Sequence, residues 1–208
     1  MWDRSSIVSD WNENTKQDGV SVSSSKVIKD RAIRRIIANK DLHFVKAKQL
    51  EDLCQIPQKN EQIRIITEKQ FNAFAVLLSL TKDRVIDEMY LAIYRINEPT
   101  VMSIIDMIYA GLIINARFVI SNFFNQTKKP EKWAKVLREF ALNHENCSHV
   151  YTHNHSKVLC CKSGGDFFVF EGSGNMSDNA RIEQYLYENN EQSFNFHKEW
   201  MLKIQDNG

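Results

Sequence analysis

The chain has 208 residues, 43% of them hydrophobic and 11% aromatic, enough for one domain with a buried core and a short appendage. The formal net charge of +1 leaves no strong global field to draw in nucleic acid or a membrane. No run of ~20 apolar residues is present, and the first residues lack the basic-then-apolar order of a secretory signal, so the expectation is a soluble, cytoplasmic protein with no membrane partner.

Residues 1–25 are polar, include the run DGVSVSSSK, and read as a flexible lead-in. Residues 26–60 form a basic region. Between Lys26 and Lys48, eight basic residues (Lys26, Lys29, Arg31, Arg34, Arg35, Lys40, Lys46 and Lys48) face only Asp30 and Asp41. Apolar positions Val27, Ile28, Ile33, Ile36 and Ile37, then Leu50 and Leu53, recur at roughly helical spacing, so two helices are predicted before Pro57. From residue 61 to 208 strand-like and helix-like runs alternate. QIRIIT reads as a strand, EKQFNAFAVLLSLT as a helix, MYLAIYRI as a strand, and EPTVMSIIDMIYAG as a helix with Pro99 in its first turn. ARFVIS is a strand, and KPEKWAKVLREFALNH a helix opened by Pro130. SHVYTH, KVLCC, FFVFE and IEQYLYE are strands, and a helix from Glu191 to about Ile204 ends the chain. The pattern predicts an α/β fold, a mixed β-sheet with helices on both faces. The four cysteines include no CxxC pair, and adjacent Cys160 and Cys161 should point to opposite faces of one strand as buried free thiols.

The segment HSKVLCCKSGGDFFVFEGSGN, residues 155–175, carries the chemistry. Its two apolar runs suit central strands joined at SGGD. A three-residue Gly164-Gly165-Asp166 turn would set His155 opposite Asn175 and Lys157 opposite Ser173; a one-residue slip would turn Ser173 and Asn175 to the other face. Such a cluster suits a phosphate diester. Imidazole can attack phosphorus, while ammonium, hydroxyl and amide donate to the nonbridging oxygens, and Gly172 and Gly174 let a substrate approach the backbone.

His155-Ser156-Lys157 followed by Gly172-Ser173-Gly174-Asn175 resembles the HxK…GSxN signature of the phospholipase D superfamily, and the alternation from about Gln62 onward, some two thirds of the chain, is similar to that fold. The resemblance implies a metal-independent phosphodiesterase without cofactors that works through a phosphohistidine. It implies catalytic roles for His155, Lys157, Asn175 and a histidine-orienting Glu183, with Glu188 as the weaker candidate for that glutamate. Ser173, Gly172 and Gly174 would meet the substrate. Where the family has an Asp five residues after the lysine, this chain has Lys162, and the nearest candidate is Asp166 in the turn. The family's site uses two motifs; with one HxK here, two subunits of a homodimer would share the site.

Arg117 in ARFVIS and Asn122 just after it are candidate substrate contacts; Lys128, Lys129, Lys132, Lys135 and Arg138 could extend a basic surface. A zinc set of Cys147, His149, His153 and His155 is disfavoured, because one strand would spread them over roughly 27 Å. The favoured reading is a nuclease, with DNA the favoured nucleic acid. The alternatives are a phospholipase or phosphatidyl transferase, and a nucleic-acid-binding member of the fold without turnover.

Overall fold

The computed structural model describes residues 56–67, 73–124, 132–177 and 182–205, together with the backbone of 33–37 and 40–47. Nine strands form one mixed sheet. In chain order they are β1 (Ile33–Ile37), β2 (Lys40–Ala47), β3 (Glu61–Thr67), β4 (Ile86–Ile93), β5 (Ile113–Ser121), β6 (Cys147–Thr152), β7 (Lys157–Ser163), β8 (Asp166–Gly172) and β9 (Glu183–Asn189). The described helices are α1 (Ala73–Thr81), α2 (Glu98–Tyr109), α3 (Lys132–Leu142) and α4 (Glu191–Lys203). Across the sheet the order is β1-β2-β3-β9-β8-β7-β4-β5-β6. β4, β5 and β6 run parallel, as do β2 and β3, whereas β7, β8 and β9 pair antiparallel with their neighbours.

Two apolar layers hold the sheet between helices. On one face α1, α2 and α3 press Leu77, Ile104, Trp133 and Leu137 onto Met89, Leu91, Phe118, Leu159 and Phe168. On the other, Phe194 and Met201 of α4 cover Ala92, Val119, Cys160 and Val169. Side chains of neighbouring strand residues leave opposite faces, so Cys161 joins the first layer and Cys160 the second. Burial pushes both thiols well above the usual cysteine range. They are inert core residues. Helix starts follow sequence signals: Asn97 caps α2 by accepting from Thr100 N at 2.9 Å, with Pro99 in the first turn, and Asn190 caps α4 by accepting from Ser193 N at 3.0 Å. No described helix is long and apolar enough to cross a membrane.

Two expectations are corrected here. Residues 33–37 and 40–47, read from periodicity as helical, are antiparallel strands β1 and β2. Ile33, Ile36 and Ile37 fit a helical face by spacing, but a short run rich in β-branched residues fits a strand equally, and pairing with β3 decides it. The remainder of 26–32 and 48–55, like residues 1–25, lies outside the described residues. The β7–β8 turn is the second correction: Ser163 pairs Asp166 and Val158 pairs Glu171, so the loop is Gly164-Gly165 and the register is one residue off the expected one. Gly164 has φ 56° and Gly165 does not take a positive φ, as in a type II′ turn, whose twist suits a two-residue hairpin.

Candidate active site at one edge of the sheet

One edge of the sheet gathers the carboxyl ends of the parallel strands β4, β5 and β6, the end of β8, and the starts of β7 and β9. The slipped hairpin register does not carry Ser173 and Asn175 away from this edge, because the ladder stops at Gly172. From there the chain crosses over β7 to the end of β4, where Met176 bridges Ile96. Met176 N donates to Arg95 O at 3.1 Å, and Arg95 N donates to Asn175 Oδ1 at 3.1 Å. The backbone of β4's exit thus fixes the Asn175 amide with its oxygen turned toward Arg95 and Nδ2 as its donor end.

His155 is exposed just before β7, and Lys157 opens that strand half-buried. Lys157 Nζ donates to His155 O at 2.8 Å and lies 3.2 Å from His155 Nδ1. An ammonium only donates, so Nδ1 accepts and neutral His155 carries its hydrogen on Nε2. The Tyr94 ring centroid lies 4.6 Å from that of the imidazole and 5.6 Å from Lys157 Nζ, so both groups pack against one aromatic ring. Burial lowers the Lys157 pKa from the usual lysine value, and the negative charge of Glu183 opposes that fall. Glu183 also accepts from Ser173 Oγ, which in turn accepts from Gln184 N at 3.0 Å. Glu183 therefore acts on Lys157 and Ser173, while the imidazole's hydrogen-bond partner is Lys157.

Gly172 serves packing. A Cβ there would stand 2.1 Å from Gln184 O and 2.5 Å from Tyr185 Cδ1, so the residue lets β9 close on β8 rather than opening the backbone to substrate. Gly174 is buried in the crossover. Asn122 follows β5 at the same edge and is 3% exposed; its Nδ2 is buried without a hydrogen-bond partner among the described residues. The next residue, Phe123, stands out from this turn with its ring 6.3 Å from that of Tyr94. Tyr94 and Phe123 were not singled out from the sequence. Their only signal is position, just past the carboxyl ends of two parallel strands.

Other candidates are placed elsewhere. Glu188 is 5% exposed near the far end of β9, where it accepts from Gln62 Nε2 at 2.9 Å. Arg117 donates to Met201 O at 3.1 Å and Ile204 O at 2.9 Å, tying down the end of α4 instead of reaching the edge. Asp166 sits at the opposite end of the hairpin from Lys157, roughly 20 Å away along β7 at ~3.3 Å per residue. There it binds Arg84 Nη1 at 2.7 Å and Asn189 Nδ2 at 2.8 Å, so it does not stand in for the motif aspartate. Lys162, at the motif aspartate's position, faces Glu88 across β4 with a 3.3 Å contact. Of the α3 cations, Lys132 lies 3.5 Å from Glu98, Lys135 lies 3.7 Å from Glu139, and Arg138 stacks on Tyr151 at 5.2 Å. Cys147 opens β6 and His153 follows its end, so the straight strand separates them. Strand β2, in the basic region, lies four strand positions from β7, roughly 19 Å at ~4.8 Å per position.

The class defined so far is a mixed α/β sheet with a polar edge built around a histidine–lysine pair. Against known proteins, neither a scan of protein families nor a search of curated proteins found a match. Among solved structures the chain is similar to TrmBL2, described as an archaeal chromatin protein with a novel mode of DNA binding, at 11% identity and a TM-score of 0.41. The match covers 67% of this chain and 51% of that one, so the chain spans about half the length of that protein. Similarity at that level transfers neither fold nor function.

Proposed function

We infer that this edge is a phosphodiester-hydrolysing site of the phospholipase D kind, acting on nucleic acid and completed by a second copy of the chain. The observation that carries the reading is the His155–Lys157 pair, 3.2 Å apart at the edge that also receives Ser173, Asn175 and Glu183. On substrate binding, the Lys157 ammonium leaves Nδ1 for a nonbridging phosphate oxygen, and the imidazole hydrogen passes through solvent from Nε2 to Nδ1, while Glu183 keeps its charge beside Lys157. The Nε2 lone pair of His155 then forms the N–P bond. The P–O bond to the leaving group breaks, and that oxygen takes a proton from His155 of the second copy. Water then attacks phosphorus and gives a proton to His155 of the second copy, the N–P bond breaks, and both histidines return to their starting states. Ser173 and the Nδ2 end of Asn175 stabilise the nonbridging oxygens.

The sequence contains one HxK, so two copies around a twofold axis supply the nucleophile and the acid. Purified protein in EDTA is the test, incubated separately with DNA, RNA and bis-p-nitrophenyl phosphate. Wild type should hydrolyse a diester under chelation, His155→Ala should not, and light scattering should give a dimer. Turnover in a clean His155→Ala preparation, or full activity in a strict monomer, overturns the scheme. A second reading, nucleic-acid binding without hydrolysis, draws on Lys162: a cation paired to Glu88 fills the position of the motif aspartate. DNA retention without cleavage of any diester would favour it.

A further inference from the structure

Phe123 is a large apolar side chain left 56% exposed at the candidate site's edge. It is anchored from behind, since it belongs to the one-turn 3₁₀ segment Asn122–Phe124, Asn122 is 3% exposed, and Phe123 N donates to Ser121 Oγ at 3.3 Å. Beside it the rings follow in sequence toward the reacting centre. Phe123 and Tyr94 lie 6.3 Å apart at 33°, and Tyr94 and His155 lie 4.6 Å apart at 43°. The Lys157 ammonium sits over the same Tyr94 ring at 5.6 Å. A ring left 56% exposed therefore stands one ring removed from the imidazole, and the intervening Tyr94 ring also carries the lysine ammonium.

We propose that Phe123, backed by Tyr94, is a stacking platform for a nucleobase next to the bound phosphate, which makes the ligand of this site a single-stranded nucleic acid. The inference rests on the phosphodiester reading of His155 and Lys157 and narrows it to a substrate class. In a duplex both faces of every base are covered by its neighbours, so a protein ring reaches a base face freely in an unpaired strand and otherwise against the cost of flipping a base out or wedging a step open. The two distances to Tyr94 hold Lys157 Nζ within about 12 Å of the Phe123 ring centroid, a span that one nucleotide bridges once the ion-pair and stacking contacts at its ends are counted. Stacking is indifferent to base identity, because every base presents a π-face, so the platform selects for strandedness rather than sequence. Strand β2 of the basic region stands apart from this platform, four strand positions from β7.

Binding separates the platform from the chemistry, since it needs no turnover. The full chain is titrated, in EDTA and at fixed salt, with fluorescent oligothymidylate, with an abasic strand of equal phosphate count, with the corresponding duplex, and with phosphatidylcholine–phosphatidylglycerol vesicles. Wild type should bind the base-bearing strand about fivefold or more tighter than the abasic one, the lower end of a single stacking contact. The duplex should bind more weakly than the single strand. Phe123→Ala should erase most of the preference for bases, and Phe123→Trp should keep it. Equal affinity for base-bearing and abasic strands, a preference for duplex, an equal loss on both strands in Phe123→Ala, or vesicle binding that depends on Phe123 overturns the proposal. Hydrolysis of bis-p-nitrophenyl phosphate reports the diesterase reading separately: if that fails while the base preference holds, the platform stands and the enzyme does not.

Discussion

Alanine placed at Gly172 should distort the start of β9 and with it the candidate site. The added Cβ would lie 2.1 Å from the Gln184 carbonyl oxygen, more than 1 Å inside the 3.4 Å limit of ordinary contact, and the obstacle is backbone in a paired strand rather than a flexible side-chain end. Relief requires β9 to move off β8, which strains the bonds from Ser173 N to Gln184 O and from Gln184 N to Ser173 Oγ, each 3.0 Å. Overpacking of this kind costs about 1–3 kcal/mol. Two weakened hydrogen bonds add about 1 kcal/mol each. The expected total is roughly 3–5 kcal/mol, which at ~2–4 °C per kcal/mol for a domain of this size lowers Tm by roughly 6–20 °C. Two glycines in the same hairpin serve as controls. Gly165 has open space and no positive φ, so Gly165→Ala should be neutral or slightly stabilising; Gly164 has open space but φ 56°, so Gly164→Ala should cost about 1 kcal/mol. Thermal unfolding followed by circular dichroism gives the ranking. A Gly172→Ala melting point within ~2 °C of wild type, or equal damage from Gly165→Ala, refutes the close-approach argument.

Glu183→Gln should move the alkaline limb of diesterase activity to lower pH: burial already lowers the Lys157 pKa and Glu183 opposes that, so removing the carboxylate lets the ammonium lose its proton sooner, and a pH–rate profile would read the shift. Glu88 is pushed up by burial but brought below its ordinary value by hydrogen bonds from Lys198 and Tyr90 and by the charge of Lys198. Its lowered folded pKa contributes stability that is present above the unfolded pKa and lost as pH falls through the folded one; Glu88→Gln should flatten the acid side of a plot of Tm against pH. Arg117→Ala should release the carbonyls of Met201 and Ile204 and cost about 2–3 kcal/mol, seen as faster amide exchange in the last turn of α4, with the ratio of single-strand to abasic binding unchanged.

From Gln62 onward the elements were legible because the periods are clean: alternating or continuous apolar runs of strand length, interrupted by helical stretches with Pro99 near a start. What periodicity could not supply was neighbours. Ile33, Ile36 and Ile37 satisfy a helix and a strand alike, and only the ladder to Lys40–Phe44 separates the two. The hairpin parity was equally open, since SGGD accommodates a loop of two or three residues. The positions of Ser173 and Asn175 were argued as though β8 continued through them, whereas Gly172 ends the strand and the crossover to Arg95 brings them to the edge by a different route. Arg117, midway along β5, shows the limit of reading function from a cation on a strand. A single cation there is as useful for tying down helix carbonyls as for holding a ligand, and only α4's position distinguishes the uses.

β9 lies between β3 and β8, although it is the last of the nine strands to appear in the chain. During synthesis the sheet therefore remains in two pieces until about Asn189 has been made. β3 and β8 must each wait with an unsatisfied row of backbone donors and acceptors, both flanked by apolar residues such as Ile65 and Phe170. Folding is committed late, and the intermediate that precedes it is a pair of open edges that can recruit a strand from another molecule. Chains halted before Glu183 should accumulate as aggregates, and a synthetic peptide spanning Glu183–Asn189 should compete for the vacant slot.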